Sequence, residues 1–204
     1  MRGDKVTLTI PILNIRLRLS FWFFALIALF LLLDRRIILL YIALPVIVHE
    51  LGHIIVMAFC KVKITEISLT PVSVRIIAGS PVLSYRKELA IAAGGIAANL
   101  IIALLWRLFA FQSMRVMLIV ASNLAVAAFN LLPVGNLDGG RIVRILCARC
   151  LSPGLASAIS KLISFAVLVP LSAIAAFLLL RGNGNFTLAL VCAYLFLIVA
   201  RNVD

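Results

Sequence analysis

Few side chains in this sequence can carry a negative charge, and fewer still are imidazoles: seven Asp and Glu and two His stand against nineteen Lys and Arg. The basic excess does not point to nucleic acid. Lys and Arg occur in twos and threes at the ends of apolar segments, where a nucleic-acid face would need them gathered in one patch. Acidic lipid headgroups account for the charge, and no nucleic-acid partner is expected. Cysteine is also sparse. Of Cys60, Cys147, Cys150 and Cys192 only the middle two form a C-x-x-C, and a zinc ribbon needs a second pair or histidines, so these read as reduced or buried thiols without disulfides. No signal-peptide cleavage site follows the basic N-terminus. The apolar run Phe21 to Leu33 ends in Asp34-Arg35-Arg36 instead of a small-x-small sequence, so it is expected to stay as a first transmembrane helix. As a helix it spans only about 20 Å, which requires Arg18 and Arg35 to snorkel toward the two surfaces. No internal repeat is evident, which counts against a transporter built from two related halves.

What the chain has in abundance is apolar sequence: 65% of its 204 residues are hydrophobic and the mean hydropathy is +1.23. That composition describes a membrane protein. After the first helix, apolar segments run from Ile37 to Cys60, Leu89 to Trp106, Val116 to Leu132, Leu162 to Leu180 and Phe186 to Ala200. Residues 5 to 18 alternate apolar and polar positions, as a hairpin does, and Lys61 to Ser84 is rich in β-branched residues and punctuated by Pro71, Gly79 and Pro81, which predicts two or three short strands. The expected architecture is an all-α polytopic membrane protein with about six transmembrane helices and short membrane-associated β-strands. We expect one domain over residues 1–204, with no appended soluble domain.

The two histidines lie inside the second apolar segment as His49-Glu50-Leu51-Gly52-His53. On a helix, positions four apart are separated by about 6 Å along the axis and roughly 40° around it, so both imidazoles can reach one ion. Glu50 is turned about 100° from His49, beside such an ion, where it can take a proton from water. An acid and two imidazoles inside an apolar helix are costly, about 3 kcal/mol or more for a charge, unless something compensates them. One zinc ion would do so. Catalytic zinc takes three protein ligands as a rule. Asp4, Asp34, Glu66, Glu88 and Asp204 lie near helix ends, in strands or at termini, which leaves Asp138, after Pro133 and before Gly139-Gly140. From the residues alone, Asp138 is equally a third ligand or the N-cap of a helix starting at Gly139.

At this point the residues resemble a family. His49-Glu50-Leu51-Gly52-His53, followed by Asn130-Leu131-Leu132-Pro133-Val134-Gly135-Asn136-Leu137-Asp138-Gly139-Gly140, resembles the site-2 protease family of intramembrane metalloproteases, as does Gly94-Gly95-x-x-x-Asn99 on the third helix. The resemblance implies that His49, His53 and Asp138 bind one zinc ion, that Glu50 activates water, and that Asn99 and Asn130 lie near the substrate. Asn136 departs from the proline often found two residues before this aspartate. The short chain and its helices are most similar to the branch that includes the sporulation protease acting on a membrane-associated precursor of a sigma factor.

The function expected is hydrolysis of a peptide bond in a transmembrane or membrane-associated protein, with the lipid bilayer and inhibitory or regulatory membrane proteins as further partners. The rival is a metal or proton transporter using the same His and acid cluster as a permeation path. An inactive scaffold would have no need of Glu50. With the N-terminus in the cytoplasm, fourteen Lys and Arg fall on the inner side and five (Arg35, Arg36, Arg107, Arg115 and Arg181) outside. This bias predicts a multi-pass cell-membrane protein with both termini cytoplasmic, and puts His53 about 10 Å and His49 about 17 Å from the inner end of their helix.

Overall fold

Two periodicities, 2.0 along a strand and 3.6 along a helix, divide the chain much as its residue pattern predicts. The computed structural model describes residues 7–12, 15–20, 38–69, 74–79, 83–109, 113–135, 137–181 and 186–201. The expected helix Phe21 to Leu33 and Asn136 lie outside these residues.

The alternating N-terminal stretch forms strands β1 (Thr7–Ile12) and β2 (Ile15–Ser20), paired antiparallel. The β-branched stretch after the histidines forms β3 (Ile64–Leu69) and β4 (Val74–Ala78), also antiparallel. A parallel pairing of β2 with β3 joins the two hairpins into one sheet of order β1-β2-β3-β4. Arg18 on β2 reaches Glu66 on β3 at 3.2 Å across that seam. The partly exposed ion pair contributes about 1 kcal/mol at most, so the backbone ladder carries the pairing.

The described helices are α1 (Ile38–Phe59), α2 (Tyr85–Phe109), α3 (Met114–Leu131), α4 (Asp138–Cys150), α5 (Pro153–Leu180) and α6 (Phe186–Arg201). Two differences from expectation stand out. The third helix starts at Tyr85, ahead of Leu89, and the fifth starts at Pro153, ahead of Leu162. Pro153 suits the first turn, where the missing N–H is not needed. The second difference is α4 itself, which is absent from the apolar segments and was expected only under the N-cap reading of Asp138. Gly139-Gly140 and Arg141, Arg144 and Arg149 mask it in any search for apolar runs, because it is amphipathic and too short to cross a bilayer.

Among the described residues α2, α3 and α5 are long and apolar enough to cross a membrane, while α1 and α6 carry shorter apolar stretches, Ala43–Phe59 and Leu188–Leu197. Large apolar side chains such as Leu104, Leu108, Leu162 and Leu180 face outward, and the buried set includes His49, His53, Asn99, Asn123, Asp138, Ser160 and Ser164. Water would disfavour that distribution. Lipid favours it, since polar groups must find partners inside the protein and apolar ones need not. The chain is an α-helical membrane protein.

Helix α2 is the hub, packing on α1, α3 and α4, while α5 packs on α4 and α6. Its buried residues, among them Ile91, Gly95, Asn99 and Ala103, recur at every fourth position. Close approach to α1 depends on glycine from both sides: a Cβ on Gly52 would strike Gly94 O and come within 2.7 Å of Ala98 Cβ, and one on Gly94 would lie 2.8 Å from Val56 Cγ2. Small residues are what let helix backbones meet in this way. A second cluster, Val134, Leu168, Leu195 and Val199, packs the turn before α4 against α5 and α6, with Phe165 and Phe196 in edge contact at 5.4 Å.

Candidate metal centre

The site is built where α1, α2 and the start of α4 meet. Helix α1 presents His49 and His53 on one face, one turn apart, with ring centroids 4.8 Å apart and planes perpendicular. Asp138, the first residue of α4, follows a turn that Pro133, Val134 and Gly135 begin. That turn has little freedom. Gly135 takes a positive φ of 50°, its N–H donates to Ser164 Oγ on α5 at 3.1 Å, and Ser164 Oγ lies 2.8 Å from Ser160 O and 3.2 Å from Pro133 O. Gly139 and Gly140 pack so tightly under the turn that a Cβ on either would strike the carbonyls of Leu131 or Gly135. No side chain caps the start of α4 by a hydrogen bond. The Asp138 carboxylate points instead at the two imidazoles.

Asp138 Oδ2 lies 2.9 Å from His49 Nε2 and 3.1 Å from His53 Nε2, and the two Nε2 atoms are 3.2 Å apart. All three side chains are buried. Hydrogen bonds on the far side of each ring settle what these atoms are. His53 Nδ1 is 2.7 Å from Ile91 O, which can only accept, so Nδ1 carries the proton. His49 Nδ1 is 2.9 Å from Asn99 Oδ1, and the Asn99 amide is oriented by its Nδ2, which donates to Pro45 O at 2.8 Å. A ring with its proton on Nδ1 turns an Nε2 lone pair inward, toward a buried carboxylate oxygen. With no proton inside the triangle every edge sets acceptor against acceptor, and with one proton an acceptor–acceptor edge remains.

A cation at the centre satisfies all three atoms at once. Ligands held at 2.0–2.1 Å around a tetrahedral zinc stand about 3.3 Å from one another, close to the edges of this triangle. The donor set of two imidazoles and one carboxylate suits zinc, and three ligands leave a position open. Histidine ligands commonly donate their other ring N–H to a carbonyl, as both do here. Among the described residues this is the one group of three such side chains that could hold a metal.

Glu50, half-buried beside the triangle, is near enough to His53, His49, Asp138 and Arg141 for their charges to act on its carboxylate. Arg141, one turn after Asp138, holds Nη1 3.9 Å from Asp138 Oδ1, the oxygen turned away from the histidines. Gly95 of α2 closes the other side. A Cβ there would lie 2.6 Å from His53 Nε2 and 2.8 Å from His49 Nε2.

The structure thus brings together His49, Glu50, His53 and Asp138. The two asparagines expected near the substrate have these surroundings. Asn99 sits behind His49, 0% exposed, with its amide protons directed to Pro45 O and to Asn123 Oδ1. Asn130 is half-buried near the end of α3 and donates to Val126 O one turn back at 3.0 Å. Sequence reasoning named Gly95 only as part of a motif, without a role, and missed Asn123, Arg141 and Ser164. For Asn123 a signal existed, since it is an amide in an otherwise apolar helix.

Comparison with known proteins agrees with this geometry in part. The model of Peptidase family M50 matches residues 110–171, which include Asp138 but not the histidines. No curated protein matches the sequence. Among solved structures the chain is similar to the Site-2 Protease from Methanocaldococcus jannaschii, at 22% identity and a TM-score of 0.67, over 97% of this chain and 95% of that one. At that identity the likeness speaks for architecture: the chain has the fold of a site-2 protease.

Proposed function

We propose that this chain is a zinc endopeptidase of the site-2 protease type, hydrolysing a peptide bond of a membrane-embedded or membrane-associated protein near the cytoplasmic face of the membrane. The observation that carries the reading is the buried triangle of inward lone pairs with a carboxylate, Glu50, beside it. A site built only to bind a metal needs the triangle and not the acid. Zinc held by His49, His53 and Asp138 supplies a Lewis acid that polarises the scissile carbonyl and makes water acidic. Glu50 takes a proton from the attacking water as its oxygen bonds to the carbonyl carbon. It then passes the proton to the amine nitrogen as the C–N bond breaks. A helical substrate hides its carbonyls in internal hydrogen bonds, so the segment to be cut has to be extended. Strands β1 and β4, the edges of the sheet among the described residues, are where such a segment could add. Resemblance to the sporulation branch favours a regulatory precursor as the substrate.

The transporter reading draws no support from this geometry. A permeating ion needs ligands that release it and a continuing path, whereas both rings here are fixed from behind by buried hydrogen bonds. The two readings separate in one experiment: purified protein in vesicles, assayed for zinc content, for cleavage of a co-reconstituted membrane-anchored substrate, and for ion flux. Cleavage without flux supports the protease. Flux without cleavage overturns it.

Asp138→Asn tests the third ligand. Even partners that only touch a ligand cost about 10–100-fold in metal affinity, so losing a charged ligand is expected to cost more than about 100-fold. Chelator competition measures this. Zinc affinity equal to that of the parent would remove Asp138 from the set.

Orientation is tested by single cysteines at Ser152 and Asn183 in a chain lacking Cys60, Cys147, Cys150 and Cys192. A membrane-impermeant thiol reagent on intact cells is expected to label position 183 and spare 152. The opposite pattern would reverse the topology and the side from which water reaches the site.

A further inference from the structure

Helix α3 supplies none of the three triangle atoms, yet it holds a buried amide within reach of the site. Asn123, 2% exposed, donates through Nδ2 to Ile119 O at 2.9 Å, and its Oδ1 accepts from Asn99 Nδ2 at 2.9 Å. A chain of polar contacts therefore crosses three helices, from α3 through Asn99 on α2 to His49 on α1. Its direction is fixed by its ends. Amide oxygens and nitrogens look alike by shape, so a single amide in a network has to be oriented by partners with one role only. Here the terminal partners are backbone carbonyls, Ile119 O and Pro45 O, which can only accept. Turning Asn123 over would set its oxygen against Ile119 O and its nitrogen against Asn99 Nδ2. Turning both amides over would set Asn99 Oδ1 against Pro45 O. One arrangement is free of conflict, and in it Asn99 can offer His49 only an acceptor.

We propose that Asn123 is a positioning residue of the metal centre, which together with Pro45 O holds the Asn99 amide in one orientation and thereby keeps the proton of His49 on Nδ1 and its Nε2 lone pair toward the metal. His53 gets the same service from Ile91 O directly. His49 has no backbone carbonyl behind it and depends on the Asn99 side chain, which Pro45 O and Asn123 orient. The contact also ties α3 to the site without occupying a ligand position. The inference rests on the reading of His49, His53 and Asp138 as a metal site.

The test uses the full chain in detergent micelles or nanodiscs, with zinc affinity measured by competition against a chromophoric chelator. Asn123→Leu keeps the volume and removes the acceptor, and is expected to weaken zinc binding about tenfold, the low end for partners beyond the ligands. Asn99→Leu is expected to weaken it at least as much. If the two act in series, the double variant is no weaker than Asn99→Leu alone. Asn123→Asp is expected to bind like the parent, because a carboxylic acid kept neutral by burial presents a carbonyl and an O–H in place of the amide's carbonyl and N–H. Losses that multiply in the double variant, or an Asn123→Asp chain as weak as Asn123→Leu, overturn the proposal. A second readout needs no variant and no metal: the nitrogen chemical shifts of His49 in metal-free parent protein. Nδ1–H is expected, and a predominant Nε2–H tautomer overturns the proposal even if Asn123→Leu cannot be purified. A parent chain that takes up no zinc would sink the metalloprotease reading instead, and the tautomer would still decide the role of Asn123.

Discussion

Exchanging Glu50 for Gln is expected to end proteolysis while zinc content stays at the parental level. Gln keeps the length and shape of the side chain but cannot take a proton from water, and a positioned base contributes about 10²–10⁴-fold to such a reaction. The triangle does not include Glu50, so His49, His53 and Asp138 lose none of their contacts. Metal analysis of the purified variant, paired with cleavage of a membrane-anchored substrate that the parent cuts, gives both numbers. A variant that loses most of its zinc would make Glu50 a ligand. One that still cleaves at the parental rate would move the base elsewhere.

Gly95→Ala is expected to abolish metal binding without unfolding the chain. In the middle of a helix this substitution ordinarily stabilises, by about 1 kcal/mol, because alanine is the better helix former. At Gly95 the added methyl would stand 2.6 Å from His53 Nε2, 2.7 Å from His49 Cε1 and 2.8 Å from His49 Nε2. Neither imidazole yields without straining a hydrogen bond, since His53 is held at Nδ1 by Ile91 O and His49 by Asn99. The methyl therefore takes the side of the site facing α2, and either the rings tilt out of register or the helices part. Zinc content should fall below about one tenth of the parent's, a ligand-geometry effect at least as large as losing a supporting partner. Circular dichroism in detergent should show the parental helix content. Full zinc content in Gly95→Ala would mean that the metal sits elsewhere.

Much of this was legible in the residues, for physical reasons that differ from element to element. The i, i+4 pair His49 and His53 shows in sequence because a helix alone puts them on one face. Asp138 was ambiguous because its direction is decided by a turn whose shape depends on Ser164, on a different helix, and on Gly139 and Gly140 meeting the carbonyls of Leu131 and Gly135. The two hairpins follow from local alternation. Their parallel joining through β2 and β3 does not, since it pairs segments on either side of α1. The short helix α4 was hidden by its arginines, which break an apolar run but suit an amphipathic helix. Asn99 was expected near substrate from a family likeness. Its position behind His49 follows from α2 packing on α1 and α3 together, which no periodicity expresses.

The Ser164 contact bears on the order in which the protein can be assembled. His49 and His53 are synthesised well before Asp138, and the hydroxyl that fixes the turn carrying Asp138 follows later still, on α5. Every ligand is thus present in a nascent chain before the geometry that unites them. Under the proposed function, metal binding would follow the docking of α5, because a site formed only in the folded protein links metal affinity to folding. A chain not yet folded through α5 would then lack the metal that Glu50 needs beside it.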